Sequence, residues 1–292
     1  MLSGLEQRST LSFSVIITSF ERPLFLLESL TSVLSQELAP VEIIVVNDSP
    51  SFDYSACETL LSNPLCKTLF TQGQEGANRA RNIGLSEAKG DIVAFLDDDD
   101  VWFPSYLRRI SEVYQAFSNV SSTVCGKQIL GSELISVNKA NYVSDAELKK
   151  GNTFCGFSGF TCEAELLKKH CLDESLSNAQ DWDLYIRLLC SGALIKNIPE
   201  PLFFYRAMVE SGITYKNHIY NEKNASLILK ASIKHKEWLG EQAFRRRVSW
   251  MTLNNLKRKQ HKLKWLALCA KHIGYWETLK AILIKTKHME KS

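Results

Sequence analysis

Four consecutive aspartates, Asp97–Asp100, directly follow the apolar run Ile92–Leu96. Carboxylate oxygens grouped in this way suit Mg²⁺ or Mn²⁺ far better than a soft metal. Four adjacent anions also repel one another, so a bound cation would lower the free energy of keeping them together. The alternative is an exposed acidic turn that caps a helix beginning near Pro104, since aspartate is a good capping residue.

A second carboxylate of interest, Asp181, lies in the segment Gln180–Leu188. Leu184 and Leu188 recur at helical spacing, which predicts a helix with Asp181 at its N-terminal end. An aspartate at that position commonly caps its helix, and the residues alone leave this interpretation open.

The first 120 residues alternate strand and helix signals. Strands are predicted at residues 13–18, 41–46, 69–71 and 91–96, and helices at 24–34 and 77–88. Apolar strands joined by crossover helices predict an α/β fold, a doubly wound and mostly parallel sheet with helices on both faces. The carboxyl ends of the four strands then share one edge, where open α/β sheets bind ligands.

That edge collects residue types that fit a nucleotide. They are Thr18, Ser19, Phe20, Glu21, Arg22, Asp48 and Asp97–Asp100. An aspartate can accept a hydrogen bond from a base or a ribose hydroxyl, an aromatic ring can stack, and a metal can hold phosphates. Neither GxGxxG nor GxxxxGK[ST] occurs, so metal and side chains must meet the phosphate charge.

Charge is divided unevenly along the chain. Residues 241–292 carry 13 basic and 3 acidic residues, whereas residues 1–240 carry 22 basic and 29 acidic ones. Apolar residues including Trp250, Leu253 and Trp276 recur at roughly helical spacing in the basic part. Such helices can lie on an anionic membrane surface, or their apolar stripes can pack on the rest of the protein. Nucleic acid is not expected, because no recognised binding motif accompanies the charge.

Cysteine usage and hydropathy indicate the compartment. The eight cysteines include no CxxC pair and no Cys/His zinc spacing, so we expect mostly reduced core residues. No run approaches the ~18 apolar residues of a membrane span, and the N-terminus lacks a signal-peptide pattern. We therefore expect a cytoplasmic protein.

Five segments, taken together and in order, resemble a family 2 glycosyltransferase with the GT-A fold. They are Phe13–Pro23, Glu42–Asp48, Gly76–Leu85, Ala94–Pro104 and Gln180–Leu184, and the resemblance spans roughly residues 12–206. It implies a GT-A domain at 1–215, with a nucleotide-binding half at 12–120 and an acceptor-binding half at 121–215. Residues 216–292 would form a helical, basic C-terminal region.

The resemblance implies roles for single residues at the nucleotide. Asp48 matches the aspartate that contacts the base, commonly uracil. Metal contact falls first to Asp99, with Asp97 or Asp98 toward the ribose and Asp100 as a helix cap or supporting group. The other implied nucleotide-binding residues are Thr18, Phe20, Arg22 and Arg81.

The same resemblance assigns Asp181 as the catalytic base and Arg206 as a phosphate contact. The candidates for acceptor or sugar contact are Phe157, Ser158, Gln180 and Trp182, although core packing is the favoured interpretation of the aromatic residues. The implied reaction displaces a nucleoside diphosphate, UDP favoured, from a sugar C1 by an acceptor hydroxyl, with inversion and with Mn²⁺ or Mg²⁺. The implied acceptor is a lipid-linked glycan of O-antigen or capsule synthesis, met by a peripheral protein at the inner face of the inner membrane.

Three positions depart from the family pattern: Asn47, Gln180 and Met208 replace an acidic residue, a glutamate and a histidine. They leave open a catalytically impaired GT-A domain that only binds a sugar nucleotide. A phosphatase of the haloacid dehalogenase type, with Asp97 as its nucleophile, is a further alternative. Its nucleophile normally follows the first core strand, however, and Asp97 follows the fourth.

Overall fold

The computed structural model describes residues 11–207, 222–254, 256, 259 and 261–289. Its described part contains one nine-stranded sheet in the order β3-β2-β1-β4-β8-β6-β9-β5, with β7 paired to β6. The strands are β1 Phe13–Ser19, β2 Glu42–Asn47, β3 Cys66–Phe70, β4 Ile92–Asp97, β5 Val101–Trp102, β6 Ser122–Ile129, β7 Ile135–Ser136, β8 Phe160–Glu163 and β9 Ile195–Tyr205.

Eleven α-helices accompany the sheet in the described residues. They are α1 Pro23–Leu34, α2 Glu58–Leu61, α3 Ala77–Glu87, α4 Tyr106–Ala116, α5 Asp145–Leu148, α6 Ala164–Lys169, α7 Gln180–Cys190, α8 Glu222–Lys234, α9 Lys236–Leu253, α10 Lys262–Ile273 and α11 Tyr275–Met289. The predicted α/β class is confirmed, including the helical nature of the C-terminal region. The division into domains stays a prediction.

The first four strands in the spatial order, β3, β2, β1 and β4, run parallel. The β1-to-β2 and β3-to-β4 connections run in opposite directions along the sheet, so right-handed crossovers place α1 and α3 on opposite faces. Gly84 lets α3 approach closely, because a Cβ there would lie 2.6 Å from Ile16 Cγ2. The register pairs Thr18 with Asp97 and Ser19 with Asn47, so the predicted ligand edge is formed.

Several element boundaries differ from the prediction. The third strand is Cys66–Phe70 and not residues 69–71, because its sequence CKTLF has exposed and half-buried positions and lacks a continuous apolar run. The last strand, Ile195–Tyr205, runs through Pro199 and Pro201, and an irregularity in its register with β6 accommodates the two prolines. The short helix α2 was not predicted.

The C-terminal helices pack on one another and on the sheet domain. Helix α9 bends at Gly240, whose φ is +70°, and contacts α8, α10 and α11. Buried apolar side chains hold the helices together, namely Leu239, Phe244, Val248, Leu253, Trp265, Cys269 and Ile273. No helix among the described residues is long and apolar enough to cross a membrane.

The cysteines are all unpaired thiols. Cys57, Cys125, Cys155, Cys162 and Cys269 are buried, in line with the expected core role. Cys171 and Cys190 are exposed, which the sequence did not indicate.

Candidate active site

The aspartate run starts at the last residue of β4 and turns sharply. The N–H of Asp100 donates to the carbonyl of Asp97 at 3.1 Å. Carboxylate oxygens of Asp97, Asp99 and Asp100 consequently lie within 4.8 Å of one another. The Asp97 side chain is 33% exposed and that of Asp99 is 19% exposed, whereas Asp100 is buried. Three carboxylates therefore meet at one point that solvent reaches.

Asp98 is separated from this group and fully buried. Its carboxylate pairs with the guanidinium of Arg22, and its Oδ2 accepts from the N–H of Phe20 at 3.4 Å. Asp98 thus anchors the loop after β1, and its role at the nucleotide stays a prediction. Arg22 also donates to Asp99 Oδ2 at 2.8 Å, so it neutralises the run from one side.

The environment of the run disfavours ionised carboxylates. Burial raises the pKa of Asp98 to about 7 despite the charge of Arg22. Burial, with the charges of Asp97 and Asp99, raises the pKa of Asp100 well above its usual value. A divalent cation would relieve this repulsion, and three oxygen donors within reach of one another fit Mg²⁺ or Mn²⁺.

The helix-cap interpretation of the run is wrong. The next helix, α4, begins at Tyr106 with Ser105 at its N-cap, and the short strand β5 stands between it and Asp100. The buried Asp100 instead accepts a hydrogen bond from the N–H of Arg206 at 3.0 Å. The sequence analysis gave metal contact first to Asp99. The structure adds Asp100 to the carboxylates that could share this role.

Arg206 lies against the same run. Its Nε–H donates to the carbonyl of Asp99 at 3.1 Å, and its guanidinium pairs with Glu28. To contact a phosphate, the guanidinium would exchange Glu28 for the ligand. The predicted phosphate role is thus compatible with its position and stays a prediction.

Asp48 organises the loop between β3 and α3. Its Oδ1 accepts from the hydroxyl of Thr71 at 2.6 Å and from the N–H of Glu75 at 2.9 Å, and its Oδ2 accepts from the N–H of Gly76 at 2.8 Å. The neighbouring Asn47 accepts from the N–H of Ser49 at 2.8 Å, which closes the turn after β2. Asn47 therefore serves the turn without a second charge.

Arg81 links the acidic run to the second candidate carboxylate. Its buried guanidinium pairs with Asp97, and its Nη1 donates to Gln180 Oε1 at 3.3 Å. The guanidinium carbon lies 4.1 Å from the ring centroid of Phe157. The residue before Asp181 is therefore joined to the carboxylate group through one arginine.

Asp181 stands in the first turn of α7, as predicted. Its Oδ2 accepts from Asn152 Nδ2 at 2.6 Å and its Oδ1 from the N–H of Trp182 at 2.7 Å. Burial raises its pKa, opposed by these hydrogen bonds and by the charges of Arg81 and Arg247. A raised pKa suits a carboxylate that must accept a proton near neutral pH.

The turn leading into α7 is strained. Ala179 has a φ of +51°, in the left-handed region that costs a residue with a Cβ about 1 kcal/mol. Strained backbone concentrates where surrounding structure fixes a functional side chain. This conformation sets the position of Gln180 and Asp181.

A family model described as glycosyl transferase family 2 matches residues 14–161, which is half of the chain. The chain belongs to this family. The matched span contains Asp48, Arg81 and the aspartate run, whereas Asp181 and the C-terminal helices lie beyond it. Membership places the chain among the glycosyltransferases, and the phosphatase interpretation of Asp97 does not fit that family.

The chain is also similar to individual glycosyltransferases. It is 29% identical over 214 residues to an uncharacterised glycosyltransferase of Nostoc sp., an alignment that covers 67% of this chain and 65% of that protein. It is 28% identical over 135 residues to the Escherichia coli enzyme named UDP-Glc:alpha-D-GlcNAc-diphosphoundecaprenol beta-1,3-glucosyltransferase WfgD, covering 43% of this chain and 53% of that one. The chain thus spans just under two thirds of the Nostoc relative.

Two solved structures show that the glycosyltransferase fold extends over nearly the whole chain. S. aureus TarS 1-349 in complex with UDP matches with a TM-score of 0.63 at 17% identity, over 93% of this chain and 81% of that one. Mannosyltransferase PcManGT from Pyrobaculum calidifontis, in complex with GDP-Man and Mn2+, matches with a TM-score of 0.62 at 16% identity, over 98% and 82%. At these identities the likeness shows the fold alone.

The residues predicted to contact the acceptor or the sugar are mostly buried. Ser158 accepts from the N–H of Asp97 at 3.1 Å, so it holds the acidic turn. Trp182 is 1% exposed and donates to the carbonyl of Leu148 at 2.8 Å. Phe157 packs under Arg81, and Gln180 holds that arginine from the other side. Their placement favours support of the site, and direct contact stays a prediction.

Two residues that are predicted to bind the nucleotide lie at the sheet edge. Thr18 pairs with Asp97 across the β1–β4 ladder, and Phe20 is half-buried in the loop that Asp98 holds. Met208, the third departure from the family pattern, lies outside the described residues.

Sequence reasoning missed two site residues of this glycosyltransferase. Asn152 binds Asp181 directly, yet it is one polar residue in a Gly/Phe-rich stretch. Arg247 is one of three consecutive arginines, Arg245–Arg247, and nothing in the sequence separates it from the other two. Only the docking of α9 on the sheet domain brings it next to Trp182.

Proposed function

We propose that this glycosyltransferase moves a sugar from a nucleoside diphosphate sugar, UDP favoured, to an acceptor hydroxyl with inversion at C1. The acceptor is a lipid-linked glycan of surface polysaccharide synthesis. One observation carries the proposal. In a chain of glycosyl transferase family 2, the carboxylates of Asp97, Asp99 and Asp100 converge at the carboxyl edge of the sheet. These three carboxylates would hold the metal ion that binds the diphosphate.

The donor would lie along this edge. Asp48 and the loop it orders lie where the base is expected, with Thr18 and Phe20 on the neighbouring strand end. A divalent ion held by Asp97, Asp99 and Asp100 would neutralise negative charge on the leaving diphosphate. Arg22 already supplies positive charge to Asp99, so it would share that carboxylate with the ion.

The acceptor would be activated by Asp181. Its carboxylate, held by Asn152 and by its own backbone neighbour, would accept the hydroxyl proton as the new bond to C1 forms. Attack opposite the leaving group inverts the anomeric centre, so an α-linked donor would give a β-linked product. Arg81 pairs with Asp97 and donates to Gln180, the residue before Asp181. It would thereby fix the position of the donor site relative to the catalytic base.

Relatives support the choice of substrates. TarS is solved in complex with UDP-GlcNAc and with UDP, and WfgD is named for a UDP-Glc donor and a diphosphoundecaprenol acceptor. A GDP sugar is the competing donor, because the mannosyltransferase neighbour is solved with GDP-Man. An acceptor on a lipid would place the protein at the inner face of the inner membrane, as a peripheral protein.

The test is isothermal titration of the protein with UDP, GDP and CDP, with and without Mn²⁺. We expect metal-dependent binding of UDP that the Asp99→Ala variant loses, because the variant removes one of three converging carboxylates. The matched control is Glu87→Ala, which removes an exposed carboxylate paired with Lys67 near the start of β3. That control should bind UDP as the wild type does.

Preference for GDP would move the donor to a guanosine sugar and leave the metal site standing. Absence of binding to every nucleotide, with or without metal, would overturn the proposed function. Binding of UDP without transfer to any lipid-linked acceptor would identify the impaired binding domain.

A further inference from the structure

Arg247 reaches the candidate active site from outside the family-matched span. It lies on α9, and its guanidinium carbon is 3.6 Å from the ring centroid of Trp182, the residue after Asp181. Its Nε–H donates to the hydroxyl of Ser232 at 3.0 Å, which fixes the orientation of the planar group. A C-terminal helix therefore contributes a cation beside the base.

The loop before the base follows this guanidinium closely. A Cβ at Gly151 would lie 3.3 Å from Arg247 Nη1, and Gly151 has a φ of +126° that favours glycine. The next residue, Asn152, donates to Asp181 Oδ2. Arg246 donates to the carbonyl of Lys149 at 2.9 Å and ties α9 to the same loop. Arg247 and Asp181 thus share one short loop.

The charge of Arg247 lacks a carboxylate partner within ion-pairing distance among the described residues, whereas Arg245 pairs with Glu241 and Glu277. Burial lowers the pKa of Arg247 to about 10, and Asp181 is the carboxylate whose charge opposes that shift. A guanidinium withdrawn from water costs free energy unless an anion is supplied. Asp181 supplies part of that negative charge without a direct ion pair, and a bound anionic ligand would supply the rest.

We propose that Arg247, with the loop Lys149–Asn152, binds a phosphate group of the acceptor. The inference rests on the proposed function, in which the aspartate run binds the donor diphosphate. Arg81, which contacts both Asp97 and Gln180, would lie between the donor diphosphate and the acceptor phosphate. A planar guanidinium, anchored at Nε, presents its terminal amino groups as a fork that matches phosphate oxygens. An acceptor phosphate held there would lie beside the base that activates the acceptor hydroxyl.

The test titrates inorganic phosphate into full-length protein saturated with UDP and Mg²⁺, so that the donor site is filled. Arg247→Met keeps much of the aliphatic volume and should weaken phosphate binding roughly tenfold or more, as expected for lost charge-assisted hydrogen bonds. Arg247→Lys keeps the charge without the fork and should fall between the two. Arg245→Met, on the same helix, is the control and should match the wild type.

Equal phosphate affinity in the wild type and Arg247→Met, or no binding to either, would overturn the anion site. Glucuronate that binds as tightly as phosphate would replace the phosphate with an acceptor carboxylate and overturn the phosphate assignment. Unchanged UDP affinity in Arg247→Met shows that the variant is folded. Failure of the wild type to bind UDP would overturn the proposed function alone, because the comparison between variants still decides the anion site.

Discussion

At the scale of single residues, the site depends on how each carboxylate is held. Asp97, Asp99 and Asp100 converge, while Asp98, the residue between Asp97 and Asp99, is paired with Arg22. Asp181 is held by two donors and flanked by two arginines. Identical side chains thus take different roles because of their partners.

Replacing Asp181 tests the base. Asp181→Asn keeps the shape of the side chain and removes its ability to accept a proton. We expect kcat to fall roughly 10²- to 10⁴-fold, the usual contribution of general base catalysis, with UDP affinity unchanged. Steady-state kinetics beside UDP titration measures both quantities. A variant that keeps its kcat would assign the base to another residue.

The pH dependence of the reaction reports on the same carboxylate. Since burial raises the pKa of Asp181 above its ordinary 3.8, kcat/KM should fall on acidification at a higher pH than an unperturbed aspartate would give. Asn152→Ala removes a donor that favours the ionised form, so the acidic limb should move further up the pH scale. Asn138→Ala, which alters contacts to Glu147 and Thr153, is the control. A limb that moves equally in both variants would contradict the assignment.

At the scale of elements, a buried carboxylate joins α7 to the C-terminal helices. Asp183 accepts from Arg187 at 2.9 Å on its own helix, and from Lys234 and His235 at 2.7 Å. Lys234 also reaches Asp173. The helix that carries Asp181 is therefore fixed to α8, which in turn contacts α9 and Arg247.

Removing this link should loosen the C-terminal helices. Asp183→Asn takes a buried anion away from the partly exposed cations Arg187 and Lys234, which we expect to lower the free energy of unfolding by about 2 kcal/mol. Denaturant unfolding measures the change. The control is Glu165→Gln, which removes the charge of a 90% exposed side chain paired with Lys168 and should change the free energy of unfolding by less than about 0.5 kcal/mol. Equal effects of the two variants would show that the link is not structural.

The same contacts predict acid sensitivity in a defined range. Burial alone would raise the pKa of Asp173, but hydrogen bonds from Lys234 and Ser175 lower it to about 2, below its ordinary 3.8. Because the folded-state pKa is depressed, this carboxylate stabilises the fold above about pH 4 and ceases to do so as the pH falls toward 2.

At the scale of the whole molecule, part of the C-terminal apolar stripe packs inward and part faces solvent. Leu253 and Ile273 are buried, whereas Trp250, Leu263, Tyr275 and Trp276 are 60–85% exposed. The exposed set lies in the strongly basic part of the chain. Both interpretations of the stripe therefore describe some of its residues, and contact with an anionic membrane stays a prediction.

Point variants test that contact better than truncation after residue 240, because truncation would also remove Arg247 and the core of α9. The double variant Trp276→Ser and Leu279→Ser removes two exposed apolar side chains from one face of α11. We expect cosedimentation with anionic liposomes to weaken roughly tenfold or more, from the lost apolar burial. The control, Leu134→Ser with Ile135→Ser, removes an exposed apolar pair at the start of β7. Unchanged binding by the α11 variant would show that this face does not meet the membrane.

The sequence by itself determined the sheet, its ligand edge and most of the residues there. Apolar strand runs, helical spacing and strand-end aspartates are local patterns, and parallel pairing brings the strand ends together without further information. The positions of Asp48 and the aspartate run could be predicted on that basis, and so could the helix that carries Asp181, whereas Arg81 was indicated only by the family resemblance.

Only the tertiary structure decided which carboxylates converge and what surrounds the base. Asp98 pairs with Arg22, whereas Asp100 joins the carboxylate group. Backbone turns and side-chain directions decide this difference, and no local pattern in the sequence shows it. Arg247 meets Trp182 across a separation of 65 residues because α8 and α9 dock on α7. Such long-range packing depends on the shapes of both surfaces, and no local pattern in either segment reports it.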